Sequence, residues 1–338
     1  MSQIAIEIGS YSIRAMVRDV INGHAIKRKM SIPSWCAHEE GNGMDDFYIG
    51  HKAKLWRYRN LAYPIYFKEN PDEYFRNVIK AIVQVIKTWT FEQSRNSQIQ
   101  ALHFVTPVYY RSNDPLIDDM KKAASEADIN QVYFTQSPEA ICKRQAYVND
   151  GESVLIYDLG YRGLSLSLLR RNGSKYEHVV QSEYLEDCAG MKIDSLLIND
   201  MVTNAPEDLS STILLEDAAR QIKEGLSIYK TYRCAIPGSG EIYTIDRTRF
   251  NDLISSIISR SFIETKKLIE KANEKPAEIL ICGGTSRIPF IKDRFNYILK
   301  EVAPNVSVKD CCLLENSDYL ACEGCFMVQD VIEIDFTQ

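Results

Sequence analysis

Two acidic residues stand at matching places in two similar stretches. In residues 4–17 an apolar run carries Glu7, then Gly9, Ser10 and Tyr11 break it before apolar residues resume. In residues 154–169 the same order gives Asp158, then Gly160, Tyr161 and Arg162. Each reads as strand, acid, x-Gly, polar turn, strand, so the pair is a candidate internal duplication. Backbone N–H groups of such turns can contact phosphate oxygens. A carboxylate at the end of each first strand would repel phosphate directly. It can instead hold hydrated Mg²⁺ or orient an attacking water. A third stretch, ILICGGTSRIPF at residues 279–290, adds a short buried strand and the Gly283-Gly284 turn. Thr285 or Ser286 is placed to cap the helical spacing that follows. A helix start offers unpaired N–H groups to a phosphate or nucleoside, and Arg287 is a flat cation able to stack on a base. Taken alone, this stretch reads equally well as a tight turn with no ligand.

Periodicity gives the elements that must hold these turns. Residues 4–8 and 12–20 form a hairpin, and a third strand at 25–30 runs on to Trp35. Residues 39–47 are a polar loop. Residues 74–90 are an amphipathic helix with Phe75, Val78, Ile79, Ile82, Val83, Val85 and Ile86 on one side. A strand at 101–106 stops at Pro107, a helix covers 116–127, and a strand covers 131–135. Ser137-Pro138-Glu139 opens a helix, with the serine as cap. Asn149-Asp150-Gly151 is the clearest boundary. Beyond it come strands at 153–158 and 164–170, helices at 191–202 and 214–228, a strand at 241–245 and a helix at 249–272. A helix to Leu299, a strand at 306–308 and a last helix from Asp318 complete the order. Two similar halves, each mixing strands and helices, predict a two-lobed α/β protein with a cleft between them.

With 338 residues there is room for two domains or lobes. An apolar fraction of 45% and a charged fraction of 25% are those of an ordinary soluble protein. A net charge of −6 argues against nucleic acid as the main partner. No apolar run approaches the ~20 residues of a membrane helix. Glu7 interrupts the first apolar segment and no basic leader precedes it, so the start does not read as a signal peptide. Nine cysteines without such a leader suggest a reducing, cytoplasmic setting. Cys311, Cys312, Cys322 and Cys325 raise the idea of zinc. The CxxC lies in a helical stretch with no histidine near, so small buried thiols are the better reading.

A run of segments resembles the actin and heat-shock ATPase superfamily, and within it the nucleotide-binding domain of DnaK-type, seventy-kilodalton heat-shock chaperones. In order they are IAIEIGSYSIRAMV, IPSWCAHEE, YIGHKAK, VTPVYY, SPEAICKRQAYV, LIYDLGYRGLSLSLL, DCAGMKIDSLL, RQIKEGLS, RTRF and ILICGGTSRIPFI. The resemblance implies duplicated ribonuclease H-like domains around a central nucleotide cleft. Residues 1–150 would be lobe I, with a small subdomain near 31–95, completed by a C-terminal helix at 317–329. Residues 151–316 would be lobe II, with a small subdomain near 196–272. Residues 330–338 would be a linker-like tail, whose VIEIDF fits an edge strand or, better, a tail tucked against its own lobe. The ligands implied are ATP or ADP with Mg²⁺ held through water by Glu7 and Asp158. Gly9, Ser10 and Tyr11 would meet the β- and γ-phosphates from one side, and Gly160, Tyr161 and Arg162 from the other. Gly190 would approach the nucleotide, and Lys223 and Ser227 would lie along ribose and adenine. Gly283, Gly284, Ser286 and Arg287 would cover the adenosine, with Asp318 beneath it.

The departures from the family pattern bear on chemistry. Glu7 replaces an aspartate and is one methylene longer. Tyr161-Arg162-Gly163 replaces Gly-Gly-Thr. Ser137 stands where the family has a water-positioning glutamate, leaving Glu139 as substitute. Lys68 is the candidate catalytic lysine. Pro115 falls where the family has arginine, and Arg220 and Glu224 exchange charge with their family counterparts. Phosphoryl transfer depends on positioning and electrostatics, so these changes imply ATP binding with slow hydrolysis. The expectation is a chaperone-like ATPase module, its peptide-binding domain absent and its protein partner or co-chaperone supplied in trans. The alternatives are a filament-forming actin-like (MreB-type) ATPase, a small-molecule kinase, and a nucleotide-binding pseudo-ATPase scaffold.

Overall fold

Contacts divide the chain into two units, Met1–Ala146 with the segment from Asp318, and Tyr147–Ser317. The structure is a computed structural model that describes residues 2–21, 24–39, 46–56, 62–65, 73–93, 98–110, 115–203, 212–239, 241–302 and 306–327.

The first unit opens with β1 (Ser2–Ile8), β2 (Ser12–Ile21) and β3 (His24–Pro33), then β4 (Trp35–Glu39), β5 (Asp46–Ile49), α1 (His51–Trp56) and β6 (Ala62–Pro64). It continues with α2 (Glu73–Gln93), β7 (Ile99–Thr106), α3 (Pro115–Glu126), β8 (Gln131–Gln136) and α4 (Ser137–Gln145). Five strands form one sheet in the order β3-β2-β1-β7-β8. β1 runs antiparallel to β2 and parallel to β7, which is parallel to β8. Ile4, Ile6 and Ile8 enter one core with Phe75, Val78, Ile79, Ile82, Val83 and Ile86 of α2. That is the helical stripe read from the sequence. A small sheet, β5-β4-β6, takes in part of the stretch expected to be a polar loop at 39–47. Its strands are too short to show a period. Ser137 is already helical, so it does not cap α4. The N-cap is Gln136, whose amide donates instead to Tyr110 O at 3.0 Å.

The second unit contains β9 (Ser153–Leu159), β10 (Leu164–Asn172), β11 (Lys175–His178), β12 (Glu183–Leu185), α5 (Gly190–Val202) and α6 (Thr212–Ile228). Next come β13 (Thr231–Ala235), β14 (Ile242–Asp246), α7 (Arg247–Ala272), β15 (Glu278–Cys282), α8 (Pro289–Val302) and β16 (Ser307–Asp310). The main sheet runs β11-β10-β9-β15-β16, with β12 on β10. β9 is antiparallel to β10 and parallel to β15, which is parallel to β16. Strand order and direction therefore repeat those of the first unit, and the duplication seen in sequence is a duplication of topology. α7 begins two residues before the periodicity does. Asp246 caps it by accepting from Arg249 N at 2.8 Å. Tyr157 is fully buried beneath it, sharing a hydrogen bond with Ser261 at 2.8 Å and meeting Phe295 edge-on at 4.7 Å.

A last short helix, α9 (Leu320–Cys325), belongs to the first unit and packs on α4. The approach is close, since a Cβ on Gly324 would lie 1.9 Å from the Ala140 carbonyl oxygen. Glu323, buried in this contact, takes Arg144 at 2.6 Å and Lys27 at 3.7 Å. Cys322 and Cys325 are buried in the same helix, and burial raises both thiols, Cys325 to about 12. Cys311 and Cys312 lie in the other unit.

β7 carries a buried histidine, His103, between Tyr133 at 4.8 Å and Phe326 at 5.8 Å. Its Nε2 has no hydrogen-bond partner among the described residues. Burial pushes the imidazole from 6.5 down to about 4. The unfolded chain therefore takes up this proton before the folded one does. The His103 contribution to stability is complete above its unfolded pKa and is lost as pH falls towards the folded one. We expect about 2 kcal/mol less stability at about pH 5 than at neutrality from this residue. Urea titrations at both pH values check this, with His103→Phe expected to lose that part of the difference.

Candidate functional site

In the first unit Glu7 is the penultimate residue of β1. The hairpin closes by Gly9 N donating to Ser12 O at 3.1 Å, leaving Ser10 and Tyr11 as the tip. Ser34 fastens it from the side. Its N–H donates to Tyr11 O at 3.1 Å, and its hydroxyl donates to Gly9 O. Register sets Glu7 opposite Arg14, and Arg14 Nη1 donates to Glu7 Oε2 at 3.4 Å. The other arm of Arg14 lies 3.9 Å from Asp318. Burial works against the Arg14 charge, but Glu7, Asp318 and Cys322 around it hold its pKa above the usual value. Glu7 and Asp318 are thus brought together on one cation.

Glu139 sits in the first turn of α4 and accepts from Lys143 Nζ at 2.6 Å, one turn on. Lys143, whose side chain is only 10% exposed, was not singled out from the sequence. Its spacing from Glu139 was the available signal. Glu7, Glu139 and Lys143 all act on the Cys325 thiol, so they share one neighbourhood. Lys68 and the 330–336 tail lie outside the described residues.

In the second unit Asp158 is the penultimate residue of β9, the counterpart of Glu7. Gly160 N donates to Gly163 O at 2.9 Å, repeating the closure of the first hairpin, with Tyr161 and Arg162 at the tip. The carbonyls of this tip face α5. Gly160 O accepts from Gly190 N at 3.0 Å, and Tyr161 O accepts from Met191 N at 2.8 Å. The helix start is therefore satisfied by the turn itself. Gly190 leaves no room for a side chain, since a Cβ there would come 2.4 Å from Thr285 Oγ1.

Gly283 follows β15 with φ of +88°, and a Cβ on it would meet Leu159 O at 2.3 Å and Asp158 Oδ1 at 2.5 Å. The Gly-Gly corner is pressed against the end of the strand that carries Asp158. Residues Gly284–Arg287 make one 3-10 turn rather than an immediate helix, and neither Thr285 nor Ser286 caps α8. Thr285 donates to Gly160 O at 3.0 Å, tying the corner to the hairpin. The Ser286 hydroxyl is buried with no hydrogen-bond partner among the described residues. Around Gly284 a Cβ would find open space within 4 Å. Arg287 donates to Ser317 Oγ at 3.0 Å.

The side chains around the hairpin are largely engaged. Arg162 pairs with Glu186 at 3.1 Å. Tyr161 reaches α6, where its hydroxyl accepts from Arg220 Nη2 at 3.0 Å. Burial raises the Tyr161 pKa against the pull of Arg220, so the phenol stays neutral. Lys223 is buried, 2.6 Å from Asp194 Oδ1, in an ion pair rather than an aligned hydrogen bond, and it donates to Gly190 O at 3.1 Å. Burial pushes the Lys223 ammonium down and the Asp194 carboxyl up, each partly offset by the other. Ser227 spends its hydroxyl on Lys223 O at 3.0 Å. Asp194 and the Tyr161–Arg220 contact were not foreseen, because these partners are distant in sequence.

The family model for Hsp70 protein matches residues 67–311. This span holds the second hairpin, Gly190, Lys223 and the Gly283 corner. It omits the first hairpin and Asp318. Chaperone protein HscA homolog of Histophilus somni (strain 129Pt) is 26% identical over 253 residues, 70% of this chain and 40% of that protein. The HscA homolog of Mannheimia succiniciproducens is 24% identical over 265 residues, covering 72% and 41%. Chaperone protein HscA of Salmonella newport (strain SL254) is 26% identical over 234 residues, covering 67% and 36%. The aligned part thus spans about two fifths of the length of these relatives.

Proposed function

This chain belongs to the Hsp70 protein family, and from that premise we propose that it is an ATP-binding chaperone module. The observation that carries the reading is the matched pair of hairpins, each with an acid before its glycine, repeated in two sheets of one topology. The residues present fit a nucleotide. Beside Asp158 the Gly283 corner is bare of side chain, Gly284 borders open space, and the buried Ser286 hydroxyl has no hydrogen-bond partner among the described residues. In this reading Gly9, Ser10, Tyr11, Gly160, Tyr161 and Arg162 bind phosphate oxygens. Gly190, Lys223 and Ser227 line the nucleotide, and Gly283, Gly284, Ser286, Arg287 and Asp318 hold the adenosine. Glu7 and Asp158 hold Mg²⁺ through water, and the ion, when bound, screens the phosphate charge.

Hydrolysis in this reading is slow. Glu139, the substitute for a water-positioning glutamate, is already held by Lys143 at 2.6 Å. Arg162 is paired with Glu186 at 3.1 Å and must give up that partner to meet phosphate. Losing aligned groups costs rate steeply when positioning supplies most of the catalysis. Nucleotide binding closes the lobes, and a protein partner reads the closure. A reducing, cytoplasmic location belongs to the same reading. No described helix is long and apolar enough to cross a membrane. A nucleotide-binding scaffold without hydrolysis is the second reading, favoured by the bulky Tyr161-Arg162 tip.

Calorimetry with ATP and ADP, with and without Mg²⁺, tests the proposal, alongside phosphate release from the same sample. We expect Mg²⁺-dependent binding, with bound ATP recovered intact over the titration. Absence of binding heat, confirmed by equilibrium dialysis, sinks the nucleotide reading. Binding with no phosphate release even overnight selects the scaffold.

A further inference from the structure

The two hairpins match in fold but differ in charge. β2 returns beside β1 so that Arg14 lies opposite Glu7, and β10 returns beside β9 so that Ser165 lies opposite Asp158. These are equivalent places in the duplication, a cation in one and a neutral hydroxyl in the other. Alternation along β2 sends Ile13, Ala15 and Val17 into the core with α2, which turns Arg14 to the other face of the sheet with Glu7. The backbone there is held, since β2 lies between β1 and β3 and the Arg14 carbonyl accepts from Cys322 Sγ at 3.9 Å. The guanidinium donates to Glu7 at 3.4 Å and lies 3.9 Å from Asp318. A Cβ on Gly9 would stand 3.8 Å from Arg14 Nη1, so the cation rests against the glycine of the turn. The side chain is only 19% exposed, which limits screening by water. A guanidinium keeps its charge at any pH a folded protein meets. It repels a divalent ion near Glu7 and attracts a phosphate near Gly9. Metal and anion thus feel opposite signs from one residue.

We propose that Arg14 sets the metal dependence of nucleotide binding. As a fixed counter-charge to Glu7 it takes over part of the screening that Mg²⁺ supplies when bound, so the ion adds less to affinity than the two acids alone would allow. This deepens the nucleotide reading above and rests on it. Asp158, faced across its hairpin by Ser165, then carries the larger share of the hold on the ion. The longer side chain of Glu7 serves Arg14 as much as it serves the metal.

The test is calorimetry of the full chain with ATP, in excess Mg²⁺ and in EDTA, on wild type, Arg14→Lys, Arg14→Met and Arg14→Gln. The readout is the ratio of the two affinities. Dropping the charge should raise that ratio about tenfold in Arg14→Met and Arg14→Gln, because metal-free ATP loses an attraction and the metal loses a repulsion. Arg14→Lys keeps the charge and should stay within about twofold of wild type. A ratio unchanged or lower in the neutral variants, with ATP still bound, overturns the role of Arg14 and leaves the nucleotide reading intact. A ratio in Arg14→Lys as high as in Arg14→Met marks a packing effect and overturns it as well. No binding of ATP by wild type in either buffer overturns both. Should Arg14→Met fail to fold by circular dichroism, Arg14→Gln, which keeps a hydrogen bond within reach of Glu7, decides in its place.

Discussion

Replacing Gly283 by alanine should cost about 3 kcal/mol or more of stability in the second unit and abolish nucleotide binding. Two penalties combine. At φ of +88° an L side chain is strained whatever the space around it. The added Cβ would also fall 2.3 Å from Leu159 O and 2.5 Å from Asp158 Oδ1. Flexible side chains can yield, but the Leu159 carbonyl is backbone, in a strand held by β10 and β15. The corner must move, carrying Thr285 off its 3.0 Å bond to Gly160. Gly284→Ala is the control. It meets nothing within 4 Å, so its stability should stay within about 0.5 kcal/mol of wild type. Urea unfolding of both variants makes the comparison. A Gly283→Ala midpoint matching that of Gly284→Ala contradicts the packing described here.

The second large effect concerns Asp194 and Lys223. Asp194→Leu should destabilise by about 3–5 kcal/mol, because it strands a buried ammonium without its counter-charge. Lys223 is only 7% exposed, so water cannot take over. Adding Lys223→Met to that variant should return most of the loss, since an apolar pair avoids the desolvation that two charges pay. The recovery stays incomplete, because Gly190 O loses the donor that reaches it at 3.1 Å. Nucleotide affinity should not return with the fold, because the proposed cation is gone. A double variant less stable than Asp194→Leu would show that the pair is not the coupled unit its 2.6 Å separation indicates.

What could be read beforehand follows from range along the chain. β1 and β9 announced themselves because apolar runs ended at Gly9 and Gly160, and α2 because its stripe recurs over about three turns. Glu139 and Lys143 lie one turn apart and were legible as a pair, though only Glu139 drew attention. The three-residue β6 had no period to find. Thr285 looked like a cap because caps are local. Its actual acceptor, Gly160 O, is 125 residues away and is supplied by strand pairing. Tyr161 to Arg220 spans 59 positions, and no spacing rule links a hairpin tip to a helix face. Composition and pattern thus located the acids and the glycines. What each side chain holds was decided by tertiary packing.

The return of α9 to the first unit bears on how the molecule is made. Translation emits Met1–Ala146 first, yet that unit receives Glu323, Gly324 and Asp318 only near the end of the described chain. The second unit is one uninterrupted stretch with its own core. On a ribosome it can reach its final packing while Ala140 still awaits the helix that covers it. Of these two units, the one begun first is the one completed second.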